Sequence, residues 1–474
     1  MKRTLSCLLL LSLLFSGCSV RPTDVSVTDT EPTVLTDTAA IPVTTDTLTD
    51  SAPSTDSVTA PMTEAITEPL PAVQTPPPDP VPDENAPRTP IQISVSFDIA
   101  PNRYEYAACE VSITDPTGTH EAHADPDSQI KVRGHSTSSG DKIPYNIKLS
   151  EKTELLGLGK SKKWNLLANL YDRTQLRNML ALEFARAIGL ETTSKSTFAE
   201  LTVNGEYRGL YQICEPIDVG ATALDLDTEN GDFLLELEPY VGYENYYCLT
   251  TPRLGFFLGC NEPEMPDGNA WNTLVSFMTH AEDALLSGDW ERVLEYFDIE
   301  SFARCYIVQE LFKNVDYAVS STRFYIKDGL LYEGPVWDFD LSSGNCSRAN
   351  YPDYNNIYTT GKSYQGLHCA ALYNQYLFQY PQFTALVSEL YEEHRPVIVN
   401  LYRENEHGIS RMDALLSQYG DALARNAAMW PTDVTYSHLE HKPADGTYDG
   451  EIACLRDWLE QRDLWLYDYY CGEH

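Results

Sequence analysis

Positive charge is scarce in this chain. Its 474 residues carry 33 Lys and Arg against 70 Asp and Glu, a formal charge of −37. Phosphate backbones and anionic bilayers are met by clustered Lys and Arg. The balance therefore argues against nucleic acid as a partner, and against adhesion to lipid through a basic patch. Apolar runs long enough for a polytopic membrane protein are lacking. There is no C-x-x-C pair, which argues against a zinc ribbon, and no H-E-x-x-H. His120 with His123 and His438 with His441 stand three apart instead. No internal repeat is visible. What remains is 42% hydrophobic and 22% charged, a composition that builds a core and excludes a wholly disordered or collagenous chain. The length allows roughly two to three domains, or one large domain with tails.

The first residues read as an address. Met1-Lys2-Arg3 is basic, and residues 7–15 are apolar but too short to span a hydrocarbon core of about 30 Å. Ser16-Gly17-Cys18 resembles the lipobox of a bacterial lipoprotein. That resemblance implies cleavage before Cys18, lipidation of its thiol, and an extracytoplasmic protein anchored to the cell membrane. Residues 19–90 hold 16 Thr, 14 Pro, 12 acidic and 2 basic residues, and no Phe, Tyr, Trp or Gly. Such a segment cannot offset the entropy of ordering itself, so it is expected to be a disordered, self-repelling tether. Removing the tether's −10 and the leader's +2 leaves about −29 on residues 91–474. That charge suits solubility, and it also suits a basic protein substrate. Nine cysteines remain beyond the leader; disulfides and buried thiols both stay open.

From residue 91 the pattern is α+β, with a β-rich N-terminal half and a helical C-terminal half. Residues 91–97 alternate apolar and polar, and residues 108–113 and 145–149 also read as strands. Residues 131–140 read as a polar loop that is no G-x-G-x-x-G. Residues 174–188 have helical spacing and a Gly189 stop. Asn204-Gly205 between residues 198–203 and 207–214 predicts a hairpin. Asp328-Gly329 predicts a second one, with strands 323–326 and 331–337. Helices are expected over 271–286, 299–313, 383–402, 410–428 and 451–468.

A resemblance now emerges from short motifs in fixed order. They are Arg133-Gly134-x-Ser136-Thr137, Pro144-Tyr145-x-Ile147-Lys148-Leu149, Lys163-Trp164-x-Leu166-Leu167-Ala168-Asn169 and Leu176-Arg177-Asn178. Val203-Asn204-Gly205-Glu206-Tyr207-x-Gly209-x-Tyr211, Glu215-x-Ile217, Trp337-Asp338-Phe339-Asp340-Leu341 and Ala424-x-Asn426 before Trp430-Pro431 continue them. Together they resemble the spore-coat CotH family of atypical protein kinases. The resemblance implies a divergent two-lobed protein-kinase-like fold, with an N-lobe of about 91–215 and a C-lobe of about 216–474. It also implies transfer of phosphate from ATP to protein hydroxyls.

Phosphoryl transfer needs cations on the phosphates, carboxylates on a metal and a group that receives or orients the acceptor's proton. Asp338 and Asp340 are the metal candidates for Mg²⁺ or Mn²⁺, since two carboxylates in one tight segment suit an oxygen-seeking ion. In an extended stretch both would point the same way. By the resemblance Asp316 is the catalytic aspartate, although no His-Arg precedes it. A metal-binding Asn is also missing downstream, where Ser320, Ser321 and Thr322 stand; Asn345 is the nearest substitute. Lys148 is the candidate for the α- and β-phosphates, and Arg133 for a forked contact to phosphate oxygens. Arg177 and Asn178 open a helix and face either phosphate or a neighbouring carboxylate. Glu183 is a candidate to orient Lys148. Glu215 and Ile217 are candidates for the hinge that holds adenine. The tyrosines of the C-terminal half, Tyr351, Tyr354, Tyr358, Tyr364, Tyr373 and Tyr376, read first as packing, with binding of sugar faces or a peptide as the alternative.

Three functions fit. One is a surface-anchored Ser/Thr protein kinase with ATP and a divalent metal. Another is a catalytically silent scaffold in cell-surface or spore-coat assembly. The third is a related transfer such as nucleotidylation.

Overall fold

The computed structural model describes residues 88–134, 136–219, 224–237, 247–347, 353–358 and 372–472. The leader with Cys18, the tether up to residue 87, Tyr351, Tyr364 and Cys369 lie outside the described residues.

Seven strands close into a barrel in the order β1-β2-β3-β4-β5-β7-β6. They are β1 (Ile91–Ser96), β2 (Ala107–Thr114), β3 (His123–Val132), β4 (Tyr145–Glu154), β5 (Lys160–Leu167), β6 (Ser196–Val203) and β7 (Glu206–Cys214). Neighbours run antiparallel except at the seam, where β1 lies parallel to β6 with Ile93 opposite Leu201. Alternate residues turn inward, as a period of two requires. Ile93, Val111, Ile130, Ile147, Trp164, Leu166, Leu201 and Ile213 fill the interior. The β6–β7 hairpin forms as expected, because Asn204 and Gly205 both take positive φ (49° and 81°), the twist a two-residue turn between strands needs.

Between β5 and β6 the chain makes α1 (Arg177–Ala187). After β7 it builds a second sheet in the order β12-β11-β8-β10-β9. Its strands are β8 (Phe233–Leu237), β9 (Tyr247–Thr250), β10 (Phe257–Glu262), β11 (Arg323–Lys327) and β12 (Leu330–Glu333). The second predicted hairpin is thus the edge pair of a five-stranded sheet inside the helical half. Its last strand stops at Glu333, short of the expected Trp337, because Gly334-Pro335 follows and proline has no N–H for the ladder.

The helices are α2 (Gly268–Leu285), α3 (Trp290–Leu294), α4 (Ile299–Phe312), α5 (Asn374–Leu377), α6 (Pro381–Tyr402), α7 (Arg411–Met429) and α8 (Tyr448–Cys471). Among the described residues, none is long and apolar enough to cross a membrane. Twelve of the fourteen α4 residues are buried, so α4 is the central post of the large C-terminal core that α1, α6, α8 and the second sheet share. Helix α7 docks on the barrel. Asn426 Oδ1 accepts from Leu210 N at 3.0 Å, and Trp430 Nε1 donates to Arg208 O at 3.1 Å. Cys109, Cys214, Cys260, Cys305, Cys454 and Cys471 are free thiols.

Candidate active site

Below the open end of β4 and β5 lies a cleft lined by Arg133, Thr137, Asn169, Asn178, Trp337, Asp338 and Asp340. Two chain reversals build its acidic wall. Helix α4 ends at Lys313, whose φ of 49° is left-handed, and the chain turns through Asp316. After β12 the chain returns through 334–342 without regular structure, and Asp338 takes a φ of 67°. The acid pair therefore is not a strand pair as expected. A left-handed turn at Asp338 brings both carboxylates to the same cleft.

Each part of this wall is pinned. Phe339 is fully buried and packs on Phe312 of α4 at 5.7 Å. Asn314 Nδ2 donates to Trp337 O at 3.2 Å, while Asn314 Oδ1 accepts from Asp316 N at 3.1 Å. One amide side chain thus joins the Asp316 loop to the acid segment. Ser321 Oγ donates to Asp338 Oδ2 at 3.0 Å. Asn178 Oδ1 accepts from Phe339 N at 2.7 Å, and Asn178 Nδ2 donates to Asn169 Oδ1 at 2.9 Å. Asn169 Nδ2 donates in turn to Gln212 Oε1 at 3.0 Å. A file of buried amides so connects β7 to the residue between the two acids.

Asp340 is 7% exposed and forms no ion pair among the described residues. Burial pushes its carboxyl well above the carboxylate range, and Asp338, Asp316 and Asp172 push the same way. The backbone N–H of Leu341 opposes them, and so does the charge of Arg133. A carboxyl this buried, in no ion pair among the described residues, is costly to ionise.

The cations are divided. Arg133 lies with its guanidinium 5.4 Å from the Trp337 ring centre, and its Nε is buried without a partner. Burial pulls its pKa down, while Asp338 and Asp340 are among the groups that hold it up. Lys148 is half-buried on β4 and stands over the Tyr106 ring at 5.6 Å. Glu183 does not orient it: both Glu183 oxygens take 2.7 Å hydrogen bonds from Arg411. Arg177 is committed as well, to Asp172 Oδ1 at 2.6 Å and to the carbonyls of Ser342 and Ser343. Of the two partners left open for it, the carboxylate is the one it takes. Asn345 Nδ2 donates to Asp340 O and Tyr171 O, so it braces the acid segment's backbone. Glu215 is buried just past β7, and Ile217 packs with Leu167, Cys214 and Trp337.

Sequence reading missed Asn314, Tyr106 and the bracing role of Asn178. An Asn two residues before the candidate aspartate was the available signal for Asn314. Lys142 was also missed. It is fully buried, with Nζ donating to Gln175 Oε1 (2.9 Å) and Leu210 O (2.6 Å).

A mixed α+β chain with an acid-walled cleft beside a small barrel is the class of protein defined so far. A family model described as CotH kinase protein matches residues 130–466. The chain belongs to that family. No curated protein matches it.

Proposed function

We propose that this chain is a surface-anchored atypical protein kinase with a divergent two-lobed fold, moving the γ-phosphate of ATP to Ser or Thr hydroxyls of secreted or envelope proteins. The observation that carries the reading is Asp340, a buried carboxylate that lines the cleft beside Asp338, feels the charge of Asp316 and forms no ion pair among the described residues. That donor set suits Mg²⁺ or Mn²⁺, held by Asp338 and Asp340. Among the described residues no group of three or more His, Cys, Asp or Glu is placed to hold a metal ion; the proposed ion takes its other oxygens from water and phosphate. When bound, the ion neutralises charge on the phosphates.

The chain's own residues do the rest. Asp316, anchored to Asn314, orients the acceptor hydroxyl and receives its proton at the carboxylate. Arg133 forks onto phosphate oxygens, its plane held by Trp337. Lys148 meets the α- and β-phosphates. Glu215 and Ile217 form the hinge for adenine, where Leu167, Cys214 and Trp337 supply an apolar wall. Lipidated Cys18 and the 19–90 tether hold the domain outside the cell membrane. The acidity of the chain favours basic acceptors.

A second reading, a silent scaffold, draws on Asn345 and Glu183, both spent on structural contacts. The test uses the purified chain with γ-³²P-ATP and Mg²⁺ or Mn²⁺, with and without a basic Ser-rich protein, beside Asp338→Ala. Transfer lost in the variant supports the kinase. No transfer and no ATP-dependent thermal shift supports the scaffold, and transfer of label from α-³²P-ATP supports nucleotidylation.

A further inference from the structure

In a chain so short of cations, three lysines meet on the outer face of the barrel. Lys148 on β4 lies directly across from Lys163 on β5. Lys131 on β3 is opposite Asn146, and is thus a diagonal neighbour of Lys148 on the same face. Like charges set this close repel one another. Lys163 has an answer, an ion pair with Asp218. Lys131 and Lys148 have none: among the described residues neither ammonium forms a hydrogen bond or ion pair, and Glu183 is held by Arg411. Both ammoniums instead stand over one ring, that of Tyr106, at 5.1 and 5.6 Å from its centre. A ring face attracts a cation without cancelling its charge.

We propose that Tyr106 is a positioning residue that holds Lys131 and Lys148 side by side as an anion site for the polyphosphate chain of the nucleotide. The proposal rests on the kinase reading for the identity of its ligand. A carboxylate in Tyr106's place would neutralise the pair; the ring face orders both side chains and leaves two full positive charges for the ligand. The site adjoins the acidic cleft through Arg133, which lines that cleft and follows Lys131 by two residues just past the end of β3. Lys131 thereby joins Lys148 in contact with phosphate, and Tyr106 acts through both without touching it.

The test compares the full chain with Tyr106→Phe and Tyr106→Leu. Two measurements are made: reductive-methylation rates at Lys131 and Lys148 without ligand, and affinity for Mg·ATP and for inorganic tripolyphosphate. The Phe variant keeps the ring face and should match wild type in both. The Leu variant should bind both ligands about tenfold more weakly and label the two lysines several-fold faster, with its melting temperature retained. Unchanged labelling and affinity in the Leu variant overturn the proposal, as does a Phe variant as deficient as Leu. ATP affinity indifferent to the Leu variant sinks this proposal and spares the kinase. Tyr106-dependent tripolyphosphate binding without ATP binding sustains the anion site and sinks the kinase. Binding of neither ligand by wild type overturns both.

Discussion

Asn178 Oδ1 accepts the amide hydrogen of Phe339 at 2.7 Å, across 161 residues of chain. The first turn of α1 thereby sets the backbone between the two candidate metal ligands. Asn178→Leu would orphan the Phe339 N–H and the Asn169 Oδ1 together. Leaving buried polar groups unmade costs about 1–3 kcal/mol each. Urea titration should show a loss in that range, and phosphotransfer should fall by more than about tenfold. Asn178→Asp keeps the acceptor for Phe339 N but sets a buried carboxylate against Asn169 Oδ1 and the acid pair, so its stability loss should grow as pH rises.

Glu333 offers a pH prediction. Burial pushes its carboxyl up to about 8, against hydrogen bonds from Tyr317 and Asn374 that hold it down. Its folded pKa lies above its unfolded value, so the folded state holds the extra proton between them. Its contribution is fully present below about pH 4.5 and lost as pH rises through about 8. Denaturation midpoints should therefore fall from pH 5 to 9 by an amount on the order of 4 kcal/mol at most. Glu333→Gln should flatten that slope, since a glutamine does not titrate; its Oε1 still accepts from Tyr317, and Asn374 has to turn its amide so that its unpartnered Oδ1 meets the new NH2.

Gly209 is where the barrel meets α7. Its φ is 103°, and a Cβ there would stand 2.8 Å from both Asn426 Oδ1 and Trp430 Nε1. Gly209→Ala should destabilise the fold by about 2 kcal/mol or more. Trp430→Ala should remove the clash on one side and be less than additive with it in a double-mutant cycle.

Arg133→Lys tests the forked contact. Lysine keeps the charge and loses the planar fork that lies on Trp337. The KM for ATP should rise about tenfold with kcat held within a few-fold, whereas Arg133→Ala should lower both affinity and kcat.

The parts legible in sequence are those with local causes. Asn204-Gly205 and Asp328-Gly329 announce their turns, and α4, α6, α7 and α8 show their helical spacing. Strand β8 was not legible because Phe-Leu-Leu-Glu-Leu, buried almost throughout, does not alternate. Strand β3 was read in part as loop, since its polar outer face hides the inward Ile130. At the site, Asp316, Asp338, Asp340 and Arg133 share one electrostatic neighbourhood; residue type suggested Asp338, Asp340 and Arg133, whereas Asp316 came from the family resemblance. The partner of Glu183 and the carbonyl partners of Arg177 were beyond reach, whereas a neighbouring carboxylate for Arg177 was foreseen and is Asp172. Arg411 lies 228 residues from Glu183 and Ser342 lies 165 from Arg177, and only the packing of α1 against distant elements selects them.

The seam of the barrel reaches beyond packing. The segment shared with the family starts at residue 130, inside β3, yet the wall of the barrel needs β1 and β2 as well. A polypeptide cut to the shared segment would expose the bare edges of β3 and β6 and uncover Ile130 and Leu201 to water. Unpaired edges of that kind recruit other chains. The stretch that the family model matches and the stretch that closes the barrel are therefore different lengths of this molecule, and the second reaches back to β1 at Ile91.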